Sequence, residues 1–406
     1  MASRNEGLDQ FAPFLDPKAK SRRTRLYFHN GDKVCRLESF HEGRSKLHLT
    51  PQRMLFDPQT DLAEKHAVSS RHAEIVGKLA NMAKTIRSCN TSVIQLSSSS
   101  PSKFMRSLIL LPLLTLAALA QQPKPAPTKL APETTASLEA HPGLVYARYG
   151  QREMQLDLWK PKAASQPLPA IVCIHGGGWY KGERSNMANL AQALAAKGFV
   201  AATISYRLSG EAKFPAAMQD CKAAVRFLRA NAAKFSIDAK AIGVTGLSAG
   251  GHLAALLTTS GGVKELEGEG GHADQASAVQ AGIAMGAQSD LESPRIGELS
   301  GKPDDPFYRT FLGDSQAAIP QTYALASPRH HLDKADPPLL FMTGELDDVS
   351  THADETRPDL EKLGIPTGLV LIPQAPHAFL GQQKAFDTCV SASVEFFAKH
   401  LKNNAP

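Results

Sequence analysis

From residue 144 onward the apolar positions switch repeatedly between two spacings. Short apolar runs at 169–175, 199–206, 241–245, 279–285, 338–343 and 367–372 have the length and composition of strands buried on both faces. Between them the apolar residues recur three and four apart, which predicts helices over 187–196, 215–233, 352–363 and 384–401, and another beginning after residue 248. In the second of these, Ala216, Cys221, Ala224, Val225 and Leu228 fall on one face. Residues 144–149 and 152–158 read as an antiparallel pair ahead of the alternation. Strands alternating with helices predict an α/β fold, a mainly parallel sheet covered by helices on both sides. No internal repeat interrupts it.

Two regions lie outside this pattern. Residues 286–335 contain prolines and an aromatic cluster, Phe307, Tyr308 and Phe311. A long segment without clear elements between two late strands is either a lid or substrate wall, or a surface excursion packed by its own aromatics. Residues 1–104 show no sustained period and read as disorder or as upstream sequence that is not translated. Met105-Arg106 then leads into an apolar run ending in Ala118-Leu119-Ala120. That is the form of a secretory signal peptide over 105–120 with an A-x-A cleavage site, too short for a transmembrane helix. It predicts translation from Met105, a secreted or periplasmic product, and no integral membrane segment in the mature chain. The Pro-, Ala- and Thr-rich stretch 121–143 reads as a linker, with the folded domain, 144–404, starting near Leu144.

Charge follows the same division. Of the 406 residues, the first 104 hold 17 of the 45 Lys and Arg but 10 of the 39 Asp and Glu, so the net charge of +6 belongs to that part and the remainder is close to neutral. A near-neutral domain argues against a nucleic-acid partner. Of five cysteines, Cys173, Cys221 and Cys389 lie in the expected mature chain, without metal-ligand spacing. One disulfide fits an exported protein, but the sequence selects no pair.

The chemistry gathers at strand ends. Gly246-Leu247-Ser248-Ala249-Gly250 is a G-x-S-x-G match between an apolar strand and a helix. A serine on so tight a turn needs glycine two positions either side, because a Cβ there would clash. The pattern arises by chance in roughly one chain in seven of this length, so it decides nothing alone. Upstream, His175-Gly176-Gly177-Gly178-Trp179 also follows an apolar strand. Glycines at a strand end leave backbone N–H groups that can hold a developing oxyanion; Gly176 and Gly177, with Ala249 after the serine, are the expected donors. The phosphate-loop patterns are absent. A serine nucleophile needs a base, and the base an orienting acid, in the order acid then His. Downstream, Glu345, Asp347 and Asp348 follow one strand and His377 follows the next. Asp347 is the expected acid, with Asp348 the alternative, and His377 the base. His252 reads as a packed helix residue and His330-His331 as no metal site. Tyr206-Arg207 reads as support beneath the glycine loop. Trp179 either packs beside that loop or stacks on a sugar ring.

With these motifs in order, the chain resembles the α/β-hydrolase superfamily. More narrowly it is similar to bacterial esterases related to hormone-sensitive lipase and to acetylxylan and feruloyl esterase-like proteins. The carrying residues are His175 to Trp179, Tyr206-Arg207-Leu208, Phe214 to Ala217 with Asp220, Gly246 to His252, Ser327-Pro328, Gly344 with Asp347, and His377. Two positions depart from the usual pattern. Ser205 stands where Asp or Asn is usual, and Ser350 follows Val349 where proline is common. The resemblance implies cofactor-independent hydrolysis of small or carbohydrate-linked acyl esters by Ser248, Asp347 and His377, with no metal. A serine exopeptidase of prolyl-oligopeptidase type and a non-catalytic polysaccharide-binding protein are the alternatives. The acyl group and oligomeric state are not legible.

Overall fold

The computed structural model describes residues 128–402 together with three strands nearer the N-terminus, at Arg25–Asn30, Lys33–Ser39 and Ser45–Gln52. Those three form an antiparallel sheet by themselves, the first two separated only by Gly31-Asp32. A two-residue link of this kind is a hairpin signal, although strands this short leave no sustained period in the sequence. The expected signal peptide, 105–120, lies outside the described residues.

Residues 128–402 fold around one eight-stranded sheet. Its strands are β1 (Leu138–Tyr149), β2 (Arg152–Pro161), β3 (Leu168–Ile174), β4 (Val200–Ile204), β5 (Ile237–Leu247), β6 (Ala281–Met285), β7 (Leu339–Gly344) and β8 (Thr367–Ile372). The spatial order is β1-β2-β4-β3-β5-β6-β7-β8. Only β2 runs against its neighbours; all other pairs are parallel. The main helices are α1 (Ala188–Ala196), α2 (Ala216–Ala230), α3 (Ala249–Thr259), α4 (Pro294–Ser300), α5 (Tyr308–Leu312), α6 (Pro320–Ala326), α7 (Thr356–Lys362) and α8 (Gln383–Phe397).

The side-chain alternation of β3 shows how both faces are covered. Ala170, Val172 and Ile174 pack with Met218, Val225 and Leu228 of α2 and Leu253 and Leu256 of α3. Ile171 and Cys173 point the other way, onto Leu190 and Leu194 of α1 and Phe386 and Phe397 of α8. An apolar run with no polar alternation is what a strand buried on both faces requires.

One expected boundary moves. β1 begins at Leu138, not near Leu144, so the C-terminal part of the expected linker belongs to the domain. Pro142 hid this, since proline normally argues against a strand interior. The structure accommodates it at a bulge between His141 and Leu144, where the Gly143 N–H donates to Asp157 at 2.8 Å. Ahead of β1, Thr128 donates to the Leu380 carbonyl at 2.6 Å and Leu130 packs on the α1–α8 core. Cys173, Cys221 and Cys389 are free thiols, all buried. Among the described residues, no helix is long and apolar enough to cross a membrane.

Candidate active site

The residues singled out from the sequence lie on loops that leave the C-terminal ends of the parallel strands, the edge where ligands bind in such sheets. β5 ends at Leu247 and α3 starts at Ala249, so Ser248 makes the turn alone. Its backbone stands at φ 60°, ψ −121°, a conformation that costs an L-residue on the order of 1–3 kcal/mol. The turn is tied down on both sides. The Ser248 N–H donates to Met285 at 2.7 Å, and the His252 N–H donates to the Ser248 carbonyl at 2.9 Å. A Cβ on Gly246 would stand 2.2 Å from the Gly250 carbonyl oxygen, and one on Gly250 would stand 2.2 Å from that of Ile174. Both glycines are therefore steric requirements. Ser248 caps α3, so the N–H of Ala249 is among the first-turn donors that have no partner within the helix and carry its positive end.

The glycine loop is pressed against this turn. A Cβ on Gly176 would stand 2.7 Å from the Leu247 carbonyl oxygen and 3.1 Å from the Ser248 Cβ. Beneath the loop, His175 is buried and stacks on Tyr206, ring centroids 4.3 Å apart at 15°. The Tyr206 hydroxyl donates to the His175 carbonyl at 3.1 Å. Burial lowers the His175 pKa. Its Nδ1 lies 2.8 Å from the Gly176 carbonyl; a carbonyl only accepts, so Nδ1 carries the proton. Tyr206 thus supports the loop as expected. Arg207 instead grips Asp220 of α2, with its Nη2 2.8 Å from Oδ1 and its backbone N–H 2.7 Å from Oδ2.

Trp179, at φ 63°, turns inward. Its indole is 5% exposed and lies flat on Phe311, centroids 4.7 Å apart at 8°. Of its two expected roles, packing holds, because Phe311 occupies the face that a sugar ring would need. The indole N–H donates to His252 Nδ1 at 3.3 Å, and His252 Nε2 sits 2.8 Å from the Ala326 carbonyl. Both ring nitrogens are engaged, and burial pushes the His252 pKa down to about 4. It is a packed, neutral helix residue, as expected. His330 and His331 each have a separate partner, Glu292 and the Leu325 carbonyl.

Three acids follow β7, and the structure separates them. Glu345 accepts from the backbone and side chain of Gln374, both at 3.0 Å. Asp348 pairs with Arg295 at 2.6 Å and accepts from the N–H and hydroxyl of Ser350 at 2.9 and 2.7 Å. Asp347 alone of the three turns to His377, its Oδ2 2.7 Å from Nδ1. The Ser350 N–H sharpens this outcome: a proline at this position would have no N–H to hold Asp348 in its turn. Asp347 also accepts from Thr343 at 3.0 Å and from the Asp348 N–H at 2.7 Å. Burial alone would raise its pKa, but the hydrogen bond and charge of His377, with these N–H and O–H donors, bring it below the usual carboxylate value. For His377 the hydrogen bond to Asp347 outweighs burial, and its pKa is raised. The Asp347 side chain is only 6% exposed, whereas that of His377 is 47% exposed. The pair therefore presents imidazole to solvent and keeps carboxylate behind it. Thr343 and Thr351, which hold this arrangement, carried no sequence signal beyond their nearness to the acid.

Ser248, His377, Asp347, Gly176, Gly177 and Ala249 all line one cleft of about 1180 Å³. Residues 286–335, which fold into α4, α5 and α6, contribute Gln288, Phe307 and Tyr308 to its wall. Both readings of that segment hold in part, because Tyr308 and Phe311 are buried beneath the wall while Phe307 stays at its surface. Among the described residues, no cluster of His, Cys, Asp and Glu is suited to hold a metal ion.

This geometry agrees with the chain's likeness to known proteins. Residues 156–356 match the family described as BD-FAE. Esterase LipC of Mycobacterium tuberculosis is 30% identical over 239 residues, covering 57% of this chain and 58% of LipC. The chain spans less than two thirds of the length of the first curated relatives it matches. A truncated carbohydrate esterase from gut microbiota superimposes with a TM-score of 0.59 at 27% identity, over 68% of this chain and 100% of that one. A propionate-bound esterase of Thermogutta terrifontis gives a TM-score of 0.54 at 25% identity, over 66% and 96%. The sheet order, the serine turn and these neighbours give the chain an α/β-hydrolase fold, and its likeness lies with hormone-sensitive-lipase-like and feruloyl-esterase-like esterases.

Proposed function

We propose that the protein is a serine carboxylester hydrolase acting on small or carbohydrate-linked acyl esters. The observation that carries this reading is the shared cleft, in which a strained serine turn, a glycine loop and a hydrogen-bonded His377–Asp347 pair meet. Because His377 Nδ1 faces a carboxylate, its proton belongs there, and Nε2 is the lone-pair side. Nε2 takes the Ser248 proton as Oγ attacks the ester carbonyl. The oxyanion is held by the N–H groups of Gly176, Gly177 and Ala249. His377 then returns the proton to the leaving alcohol, and water attacks the acyl-enzyme by the same route, releasing the acid. No metal or redox cofactor enters these steps. The small-acyl part of the reading is supported by the propionate-bound neighbour, and the carbohydrate part by the gut-microbiota esterase.

Turnover of p-nitrophenyl acetate, acetylated xylan and a peptide p-nitroanilide tests this reading. Hydrolysis of the esters is expected, with a fluorophosphonate adding one mass label to the Ser248 peptide. No ester turnover would end the proposal, and preferential peptide cleavage would favour an exopeptidase. The run 105–120 supports export. Secreted native protein is expected to begin at Gln121 on N-terminal sequencing; an intact bond between residues 120 and 121 would refute export by this route.

A further inference from the structure

Tyr180 and Phe307 are large aromatic side chains left 38% and 42% exposed, and both line the cleft. Each directly neighbours an aromatic that is buried, Trp179 and Tyr308 respectively. Their exposure is imposed by the backbone. At the glycine loop, positive φ at Gly177, Gly178 and Trp179 turns the indole inward and its neighbour outward. The N–H groups of Tyr180 and Lys181 then both donate to the Gly177 carbonyl, at 3.3 and 3.1 Å. On the opposite wall, the Asp305 carboxylate accepts from the N–H groups of Phe307 and Arg309, at 3.3 and 2.7 Å. That turn starts α5 with Phe307 outside it and Tyr308 and Phe311 inside. The two rings meet with centroids 6.0 Å apart at 45°. They converge over Gly178: a Cβ there would stand 2.8 Å from both Phe307 Cδ1 and Tyr180 Cε1. The third glycine of the loop is thus the floor beneath an aromatic pair, two residues from Gly176.

Holding two apolar rings in water at a fixed angle is unfavourable unless something covers them. Because the rings pack against each other at 45°, nothing flat fits between them, and together they offer an angled aromatic surface to the cleft. Polar side chains line the same cleft, Lys181, Asn186, Asn189 and Gln288, and the Lys181 ammonium lies 5.4 Å from the Tyr180 ring centroid. An aromatic surface in a cleft that also holds amide and ammonium groups matches a ligand with C–H bonds on one face and hydroxyls at its edge. An aryl group would cover the rings but offer no hydroxyls to the polar side chains of the cleft. We propose that Tyr180 and Phe307 form the platform for the pyranose ring of a carbohydrate ester, and that they, not Trp179, set preference for a sugar over a simple alcohol. This inference rests on the esterase reading above, which it extends to the alcohol side of the substrate. Because the platform is held in place by backbone bonds before ligand arrives, little order is lost on binding.

The test compares methyl 3-O-acetyl-xylopyranoside, phenyl acetate and ethyl acetate as substrates of the wild type, Tyr180→Ala, Phe307→Ala and Tyr180→Trp. Each alanine variant is expected to lower kcat/KM on the acetylated xyloside about tenfold, mostly through KM. Ethyl acetate should stay within about twofold, because it has no ring to lay on the platform. Tyr180→Trp, which keeps a ring face, should retain most of the xyloside activity. No hydrolysis of ethyl acetate by the wild type would defeat the esterase reading itself. Ethyl acetate hydrolysis with xyloside kinetics unchanged in both alanine variants would overturn the platform alone. An equal or larger loss on phenyl acetate would overturn its assignment to a sugar.

Discussion

Ser248→Ala is expected to lower kcat on p-nitrophenyl acetate by a factor on the order of 10⁶, the size of loss seen when a triad nucleophile is removed. What survives is stabilisation by donors that do not depend on the hydroxyl, chiefly the glycine-loop and Ala249 N–H groups. KM should change little, since the walls of the cleft are untouched. The variant should also fold as the wild type does, because alanine and serine suffer the same steric strain at φ 60°, ψ −121°. Ser248→Gly provides the matching control. It removes the hydroxyl and also relieves the strain, so it should be as inactive as alanine but more stable by about 1 kcal/mol in denaturant unfolding. A glycine variant no more stable than the wild type would mean that the turn is not strained. Substantial residual turnover in either variant would mean that Ser248 is not the nucleophile.

Asp347→Asn should cost about 10⁴-fold in kcat, because asparagine can donate to Nδ1 and so fix the proton on the wrong nitrogen of His377. The pH profile carries a second signature. His377 must be neutral to accept a proton, so kcat/KM falls as pH drops through its pKa. Hydrogen bonding and charge from Asp347 raise that pKa, which places the acid limb of the wild type above the ordinary histidine value of about 6.5. Without the carboxylate the support is lost, and the acid limb of the residual activity should move to lower pH. Asp348→Asn is the discriminating partner. Asp348 is engaged by Arg295 and Ser350, so its loss should change kcat less than about threefold, in line with the small worth of exposed ion pairs. A larger effect at Asp348 than at Asp347 would overturn the assignment of the acid.

The strands, helices and serine turn were legible because each is written locally. The run from Ala170 to Ile174 is apolar without alternation because both faces of β3 are buried, and that leaves its mark on every residue of the strand. Gly246 and Gly250 are required by contacts at 2.2 Å, so the motif around Ser248 is a direct record of steric exclusion. Where local rules conflicted, the sequence misled. Pro142 suggested a linker, yet β1 passes through it by means of a bulge. The hairpin at Arg25–Asn30 and Lys33–Ser39 was too short to register as a period.

Choices among neighbouring residues of one kind were legible only in part: Asp347 was the expected partner of His377, with Asp348 left as the alternative. Glu345, Asp347 and Asp348 share one loop, and their order says nothing about direction; Gln374, His377 and Arg295 divide them. Trp179 and Tyr180 are adjacent aromatics, and the sequence left open whether Trp179 packs or faces a ligand. A positive φ at Trp179 and the presence of Phe311, more than a hundred residues away, turn the indole inward.

The sequence by itself determined the α/β architecture, the order of the motifs and Ser248 as their centre, since periodicity and steric exclusion act between near neighbours along the chain. Only the tertiary structure decided which acid meets His377 and which aromatic rings face the cleft. Those outcomes depend on side-chain direction and on partners brought together across the sheet edge, and neither is encoded within the span of one motif.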